Sequence, residues 1–148
     1  MLTRTATHAL GVLRHLVRHP DQRLPAEALA RETGIPANYL SKILNQLRKR
    51  QIVEGEKGRG GGFRVLPAAL DRPIGDIVEI FEGLDTVSQD TCIFGLERCD
   101  DANPCALHPF ARRIRAVRDE LLTTTRVRDL PGHRSQPDAP RVGGKRRT

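Results

Sequence analysis

Apolar residues recur at helical spacing in several segments of the chain, and these segments predict its helices. The first helix is predicted over 5–19, since the residue before Pro20 is disfavoured in helical conformation. A second, short helix fits between Pro25 and Gly34, because proline is favoured at the first helical position and glycine just past the end. Only Ile35 and Pro36 follow before another amphipathic segment begins.

This third segment has the clearest alternation of buried and exposed positions. Leu40, Ile43, Leu44 and Leu47 form an i, i+3, i+4, i+7 stripe. Two helices joined by a tight glycine-containing turn are typical of a helix-turn-helix. The remaining positions carry side chains that reach base edges and phosphates, although an ordinary solvated helix face would look similar. The candidate DNA-binding residues of this helix are Asn38, Tyr39, Ser41, Lys42, Asn45, Arg48 and Lys49.

The next segment favours the DNA-binding alternative. Strand-like runs at 52–54 and 63–66 flank the glycine-rich stretch 55–62, which predicts a β-hairpin wing. Lys57 and Arg59 at its tip are placed to enter an electronegative minor groove. Nucleotide binding is excluded, because the glycines match neither the P-loop nor the dinucleotide pattern. The predicted fold is mainly α with a small β-hairpin wing, a winged helix-turn-helix.

Two further helices are predicted after the wing. One begins at about Pro73 and stops at Gly83, and the last spans 108–125. The last helix is longer than a small DNA-binding unit needs, so we predict that it mediates homodimerisation, as a two-fold DNA site would require. A helix folded back on its own domain is the alternative. Its apolar seam consists of Phe110, Ile114, Val117 and Leu121.

These elements divide the chain into four predicted segments. They are a winged helix-turn-helix domain (1–83), a cysteine-containing loop (84–107), a dimerisation helix (108–130) and a tail (131–148). The tail is rich in proline, glycine and basic residues, which predicts disorder.

Charge is distributed unevenly along the chain. Residues 1–64 carry a net charge of +7, whereas residues 65–109 carry −7, and the whole chain carries +7. A basic N-terminal part suits a polyanionic partner such as double-stranded DNA. No apolar segment is long enough for a membrane span or resembles a signal peptide, so we expect a cytoplasmic protein without a membrane partner. No nucleophile with a base at recognisable spacing is present, and neither an enzymatic activity nor a small-molecule substrate is expected.

All three cysteines lie close together in the acidic part of the chain. Cys92, Cys99, Cys105 and His108 are separated by six, five and two residues. In a reducing compartment, clustered cysteines indicate metal binding or redox chemistry rather than disulfides. The spacing lacks the close cysteine pairs of zinc knuckles and ferredoxins, so zinc, an iron–sulfur cluster and redox-active thiols all stay open.

Several motifs in combination resemble one bacterial family. They are the opening MLTRTATHAL, the helix ANYLSKILNQLRK, the wing GRGGGF and the loop ending NPCALH. Over about residues 1–130, the chain resembles the winged-helix iron–sulfur repressors typified by IscR and NsrR, the Rrf-two family. The resemblance implies a dimeric, DNA-binding transcriptional repressor whose operator binding responds to iron, redox state or nitric oxide. Members without clusters also exist.

The resemblance also implies a ligand set. The three loop cysteines would hold an iron–sulfur cluster, for which we favour 2Fe–2S over 4Fe–4S. A histidine three residues after the last cysteine matches His108, although the first cysteine gap is six residues here and five in that branch. Other members use an acidic residue of the first helix, and the corresponding position holds Thr7, next to His8. His108 is therefore the expected fourth ligand, and His8 is its competitor. Redox-active thiols, zinc or a small-molecule effector are the alternatives to the cluster.

Overall fold

The computed structural model describes residues 2–83 and 101–130. Cys92, Cys99, most of the cysteine loop and the basic tail lie outside the described residues. The α-helices and β-strands are, in order, α1 (Arg4–Val17), α2 (Ala26–Thr33), α3 (Ala37–Lys49), β1 (Val53–Glu56), β2 (Gly62–Val65), α4 (Ile74–Glu82) and α5 (His108–Thr124). Short 3₁₀ turns at Pro67–Ala69 and Val127–Asp129 follow β2 and α5.

Local chemistry explains where the first two helices begin and end. Thr3 caps α1 by accepting a hydrogen bond from the Ala6 N–H at 3.2 Å. The helix ends at Val17, two residues before the predicted end, since Pro20 cannot continue it. Pro25 precedes the first turn of α2 instead of occupying it. Gly34 ends α2 with a φ of 70°, a left-handed conformation that glycine adopts without steric cost.

The wing is an antiparallel hairpin with a third segment beside it. Residue Glu54 of β1 lies opposite Arg64 of β2. On the other edge of β2, Leu24 and Phe63 exchange two backbone hydrogen bonds of 2.9 and 2.8 Å. This bridge fixes the wing to the segment before α2, so that the hairpin and the helix-turn-helix form one unit.

The core lies where α1, α3 and α4 meet. The stripe of α3 is buried as predicted. Helix α4 buries Ile74, Ile77 and Val78, and its Phe81 is half-buried. The largest fully buried side chains are Leu13, Leu16, Leu29, Leu40, Ile43, Leu44, Leu47, Ile52, Ile77, Val12, Val53 and Val127.

Helix α5 returns to the core with its C-terminal end. The backbone N–H of Ile74 donates to the Thr125 carbonyl at 2.9 Å, and that of Val127 donates to the Arg72 carbonyl at 3.0 Å. Leu122 is buried against α4, where Gly75 leaves room for the close approach. The helix therefore packs on its own domain along one face. Across the described residues, five α-helices and a two-stranded hairpin confirm the predicted winged-helix fold.

Candidate nucleic-acid interface and metal centre

The polar face of α3 is fully available to a partner. Six of the seven candidate residues on this helix are exposed, namely Asn38, Ser41, Lys42, Asn45, Arg48 and Lys49. The Asn38 side chain accepts a hydrogen bond from the Tyr39 N–H at 2.8 Å, in the first turn of α3. Near the other end, Arg48 lies 3.5 Å from the Asn45 amide oxygen. Amide, hydroxyl and cationic groups thus line one side of the helix, which suits contacts with both base edges and phosphates.

Tyr39 is placed differently from its neighbours. It is half-buried, and its hydroxyl lies 2.5 Å from the Thr5 hydroxyl of α1. Its ring also makes an edge-to-face contact with His8, with ring centroids 5.7 Å apart. The side chain therefore connects α3 to α1, and a direct contact of Tyr39 with DNA stays a prediction.

Glycine conformations shape the tip of the wing. Gly58 and Gly60 have φ values of 99° and 78°, and the Gly61 N–H donates to the Gly58 carbonyl at 3.0 Å. Lys57 and Arg59 are exposed in this turn. The tip is thus a narrow, basic projection on the same unit as α3.

Ion pairs neutralise the two acidic residues of β1, Glu54 and Glu56. Arg23 contacts Glu54 at 3.2 Å and Glu56 at 3.0 Å, and Arg64 pairs with Glu54 across the hairpin. The hydrogen bond from Arg64, supported by the charges of both arginines, holds the pKa of Glu54 below its usual value of 4.5. Arg23 was not identified from the sequence. The pair of Glu54 and Arg64 could have been predicted, because the two residues lie opposite each other in the predicted hairpin. Glu54 and Glu56 are thus paired with Arg23 and Arg64, and Lys57 and Arg59 at the tip form no ion pair within the described residues.

Two of the proposed metal ligands lie at the N-terminal end of α5. Cys105 is exposed, and its carbonyl accepts a hydrogen bond from the His108 N–H at 3.0 Å. The His108 side chain is only 9% exposed, and its Nε2 lies 2.7 Å from an Asp101 carboxylate oxygen. Arg112 lies 3.5 Å from the same oxygen. Residues 2–83 and 101–130 contain no group of three or more His, Cys, Asp or Glu residues able to hold a metal ion.

The competing ligand His8 lies on α1. It is half-buried, and its Nδ1 forms no hydrogen bond within the described part of the chain. The Thr7 side chain is exposed and donates to the Thr3 carbonyl at 3.0 Å. The ring of His8 contacts the ring of Tyr39 in α3. Ligation by His8 would therefore alter a contact between α1 and α3.

The predicted dimer seam is exposed. Phe110, Ile114, Val117 and Leu121 are 59%, 52%, 66% and 51% exposed, whereas Leu122 on the other face is buried. A groove of about 790 Å³ runs along this seam and the start of α1, where Leu2 and Thr7 line it. Such a contiguous apolar surface is typical of a protein–protein contact.

Comparison with known proteins agrees with this architecture. The family described as "Rrf2: Iron-dependent Transcriptional regulator" matches residues 2–132. The transcriptional repressor NsrR of Streptomyces coelicolor is 31% identical over 120 residues, which cover 80% of this chain and 75% of NsrR.

Solved structures show the same fold. CymR of B. subtilis, described as the global cysteine regulator, superposes with a TM-score of 0.69 at 20% identity, covering 88% of this chain and 95% of CymR. T. potens IscR superposes with a TM-score of 0.64 at 18% identity, covering 88% of this chain and 85% of IscR. None of the helices within residues 2–83 and 101–130 has both the length and the hydropathy that a membrane span requires. Because the family model matches residues 2–132 and NsrR is 31% identical, the chain belongs to the Rrf2 family of DNA-binding transcriptional regulators and is not an enzyme.

Proposed function

We propose that this regulator is a cytoplasmic, homodimeric repressor whose operator binding is controlled by an iron–sulfur cluster. Cys92, Cys99, Cys105 and His108 would hold the cluster, and the seam of α5 would form the dimer contact. The signal would be iron availability, redox state or nitric oxide. Each protomer would place one α3 and one wing on a two-fold operator.

One observation carries this proposal: the candidate ligands Cys105 and His108 lie at the end of the helix that bears the exposed apolar seam. A ligand at this position acts directly on the element proposed to set the geometry of the dimer. The two half-sites of an operator are separated by one or more helical turns of DNA. The distance between the two α3 helices of the dimer, the recognition helices, therefore decides whether both can bind at once. Sensing and DNA binding are thereby connected through α5.

The described residues fit a cluster in their chemistry. Cysteine and histidine side chains are donors that iron–sulfur clusters accept, and Cys105 and His108 supply one of each at the start of α5. Asp101 orients the His108 ring through Nε2, which is the arrangement found behind many metal-bound histidines. When bound, the cluster would supply an iron centre that responds to oxidants and nitric oxide. Cys92 and Cys99 complete the proposed set.

On the DNA, α3 would lie in the major groove and the wing tip in the adjacent minor groove. Lys42, Arg48 and Lys49 are the candidates for phosphate contacts, and Asn38 and Asn45 for base edges. Lys57 and Arg59 would interact with the narrow groove. Tyr39 would contribute chiefly by holding α3 against α1.

A second candidate is a cluster-free regulator that uses redox-active thiols, zinc or a small-molecule effector. The exposure of the Cys105 thiol favours direct thiol chemistry. The apolar groove beside α5 is large enough for a small molecule. A modified Cys105 thiol and a small molecule in the groove would each act on α5.

Anaerobic purification distinguishes these candidates. We expect a coloured protein with stoichiometric iron and sulfide, whose visible absorbance disappears with nitric oxide or a chelator. Replacing His108 with Ala should shift the spectrum or lower the cluster content, whereas His133→Ala is the matched control because it removes a histidine far along the chain. A colourless, iron-free protein with stoichiometric zinc would refute the cluster.

A further inference from the structure

A buried carboxylate joins three helices at the start of the cysteine loop. Glu82 is the last residue of α4, and its side chain is only 3% exposed. One carboxylate oxygen accepts a hydrogen bond from the Thr3 N–H at 2.6 Å, and the other lies 3.2 Å from the Arg118 guanidinium. We name Glu82, Thr3 and Arg118 the Glu82 cluster. It connects the start of α1, the end of α4 and the middle of α5.

The Glu82 cluster adds a polar contact near the middle of α5. At the C-terminal end of the helix, backbone hydrogen bonds between Arg72–Ile74 and Thr125–Val127 join it to the domain, and Leu122 is buried beside them. Contacts at two levels along the helix restrict its direction more than contacts at one end alone. Arg118 lies next to Val117 of the apolar seam, so the cluster controls the part of α5 that a partner would contact.

The Glu82 cluster is also connected to α3 through α1. Thr3 caps α1, and two residues further on the Thr5 hydroxyl bonds to the Tyr39 hydroxyl in the first turn of α3. A change in the position of Arg118 or Glu82 would therefore move α5 relative to α1 and to α3, which α1 holds. Helix α5 is therefore connected to α3 by the Arg118–Glu82 ion pair, the first turn of α1 and the bond between Thr5 and Tyr39.

We propose that Glu82 is a positioning residue for DNA recognition, which fixes α5 relative to α1 and thereby sets the separation of the two recognition helices in the dimer. This inference rests on the proposed homodimer.

Half-site spacing gives a direct test that does not depend on the cofactor. A duplex would be selected from a random-sequence library with the wild-type protein. Binding would then be measured to that duplex, to versions whose half-sites are moved by one base pair, and to a single half-site. The variant is Glu82→Gln with Arg118→Met, in which no charge is left buried without a partner. Glu79→Gln, an exposed carboxylate on the same helix, is the matched control.

For the wild type and for Glu79→Gln, we expect affinity to fall about 10-fold when the spacing changes, because both recognition helices must fit at once. For the double variant we expect a fall of less than about 3-fold, with unchanged affinity for the single half-site. The single half-site reports whether the DNA-binding unit is intact. If the fall in the double variant equals that in the wild type, the positioning role is refuted and the dimer stands. If the wild type shows no dependence on spacing, both the dimer and the inference fail.

Discussion

The carboxylate of Glu82 at the end of α4 lies 3.2 Å from the guanidinium of Arg118 on α5, and both side chains are largely shielded from water. Removing one partner leaves a buried hydrogen-bonding group without its partner. We expect Glu82→Ala to lower the free energy of unfolding by about 1–3 kcal/mol. Glu79→Ala should change it by less than about 0.5 kcal/mol, since this residue is exposed. Chemical denaturation of both variants would measure the difference, and equal effects would contradict a stabilising role of the Glu82 cluster.

Two glycines should respond to the same substitution with opposite signs. A Cβ on Gly62 would lie 2.6 Å from the Leu24 carbonyl oxygen, so Gly62→Ala should separate β2 from Leu24 and cost about 1–3 kcal/mol of stability. Gly11 lies inside α1 with open space around it, and Gly11→Ala should stabilise the protein by about 0.5–1 kcal/mol. Thermal unfolding would measure both. A neutral Gly62→Ala variant would contradict the close approach of the wing to the segment before α2.

Acid should loosen the wing through Glu54. Its folded-state pKa lies below the usual 4.5, first because of the hydrogen bond from Arg64 and then because of the nearby charges of Arg64 and Arg23. The contribution of this carboxylate is therefore fully present above its unfolded-state pKa and is lost as the pH falls through the lower, folded-state value. We expect stability to decrease below about pH 4.5 with a smaller slope in Glu54→Gln. Identical pH profiles for the two proteins would exclude this role.

The polar face of α3 and the wing tip should make separate electrostatic contributions to DNA binding. Lys42→Ala and Arg59→Ala should each weaken binding to a selected duplex and reduce the salt dependence by about one unit in the logarithmic slope. Arg18→Ala removes the same charge from the far end of α1 and should have little effect on either quantity. Fluorescence anisotropy over a series of salt concentrations would measure the slopes. If Arg18→Ala matched the other two, net charge alone would explain the binding.

Periodicity and glycine placement made the DNA-binding unit predictable. The stripe of α3, the stop at Gly34 and the hairpin around residues 55–62 depend on neighbours in sequence, and the structure confirms each of them. Helix ends shifted by one or two residues, because capping by Thr3 and the position of Pro25 outside α2 depend on local backbone geometry.

Contacts between distant helices were not predictable. Glu82 and Arg118 are 36 residues apart, and each lies on a helix whose composition would also suit a solvent-exposed ion. The hydrogen bond between the Tyr39 and Thr5 hydroxyls joins α3 to α1 in the same way, and the DNA contact of Tyr39 stays a prediction. Homodimerisation through α5 was predicted from its apolar seam and stays a prediction, because one face of the helix is buried in its own domain and the seam on the other face is exposed.

Operator affinity before and after removal of the iron–sulfur cluster tests whether the cysteine site controls DNA binding. The wild-type protein and a variant with Cys92, Cys99 and Cys105 all replaced by Ser would be compared without oxygen on the same selected duplex. We predict a change of about 5- to 150-fold in the wild type when the cluster is removed and no change in the variant. If the wild type binds the duplex equally well with and without the cluster, under iron depletion and under nitric oxide alike, the cysteine site does not control DNA binding. The protein would then bind DNA without this sensor.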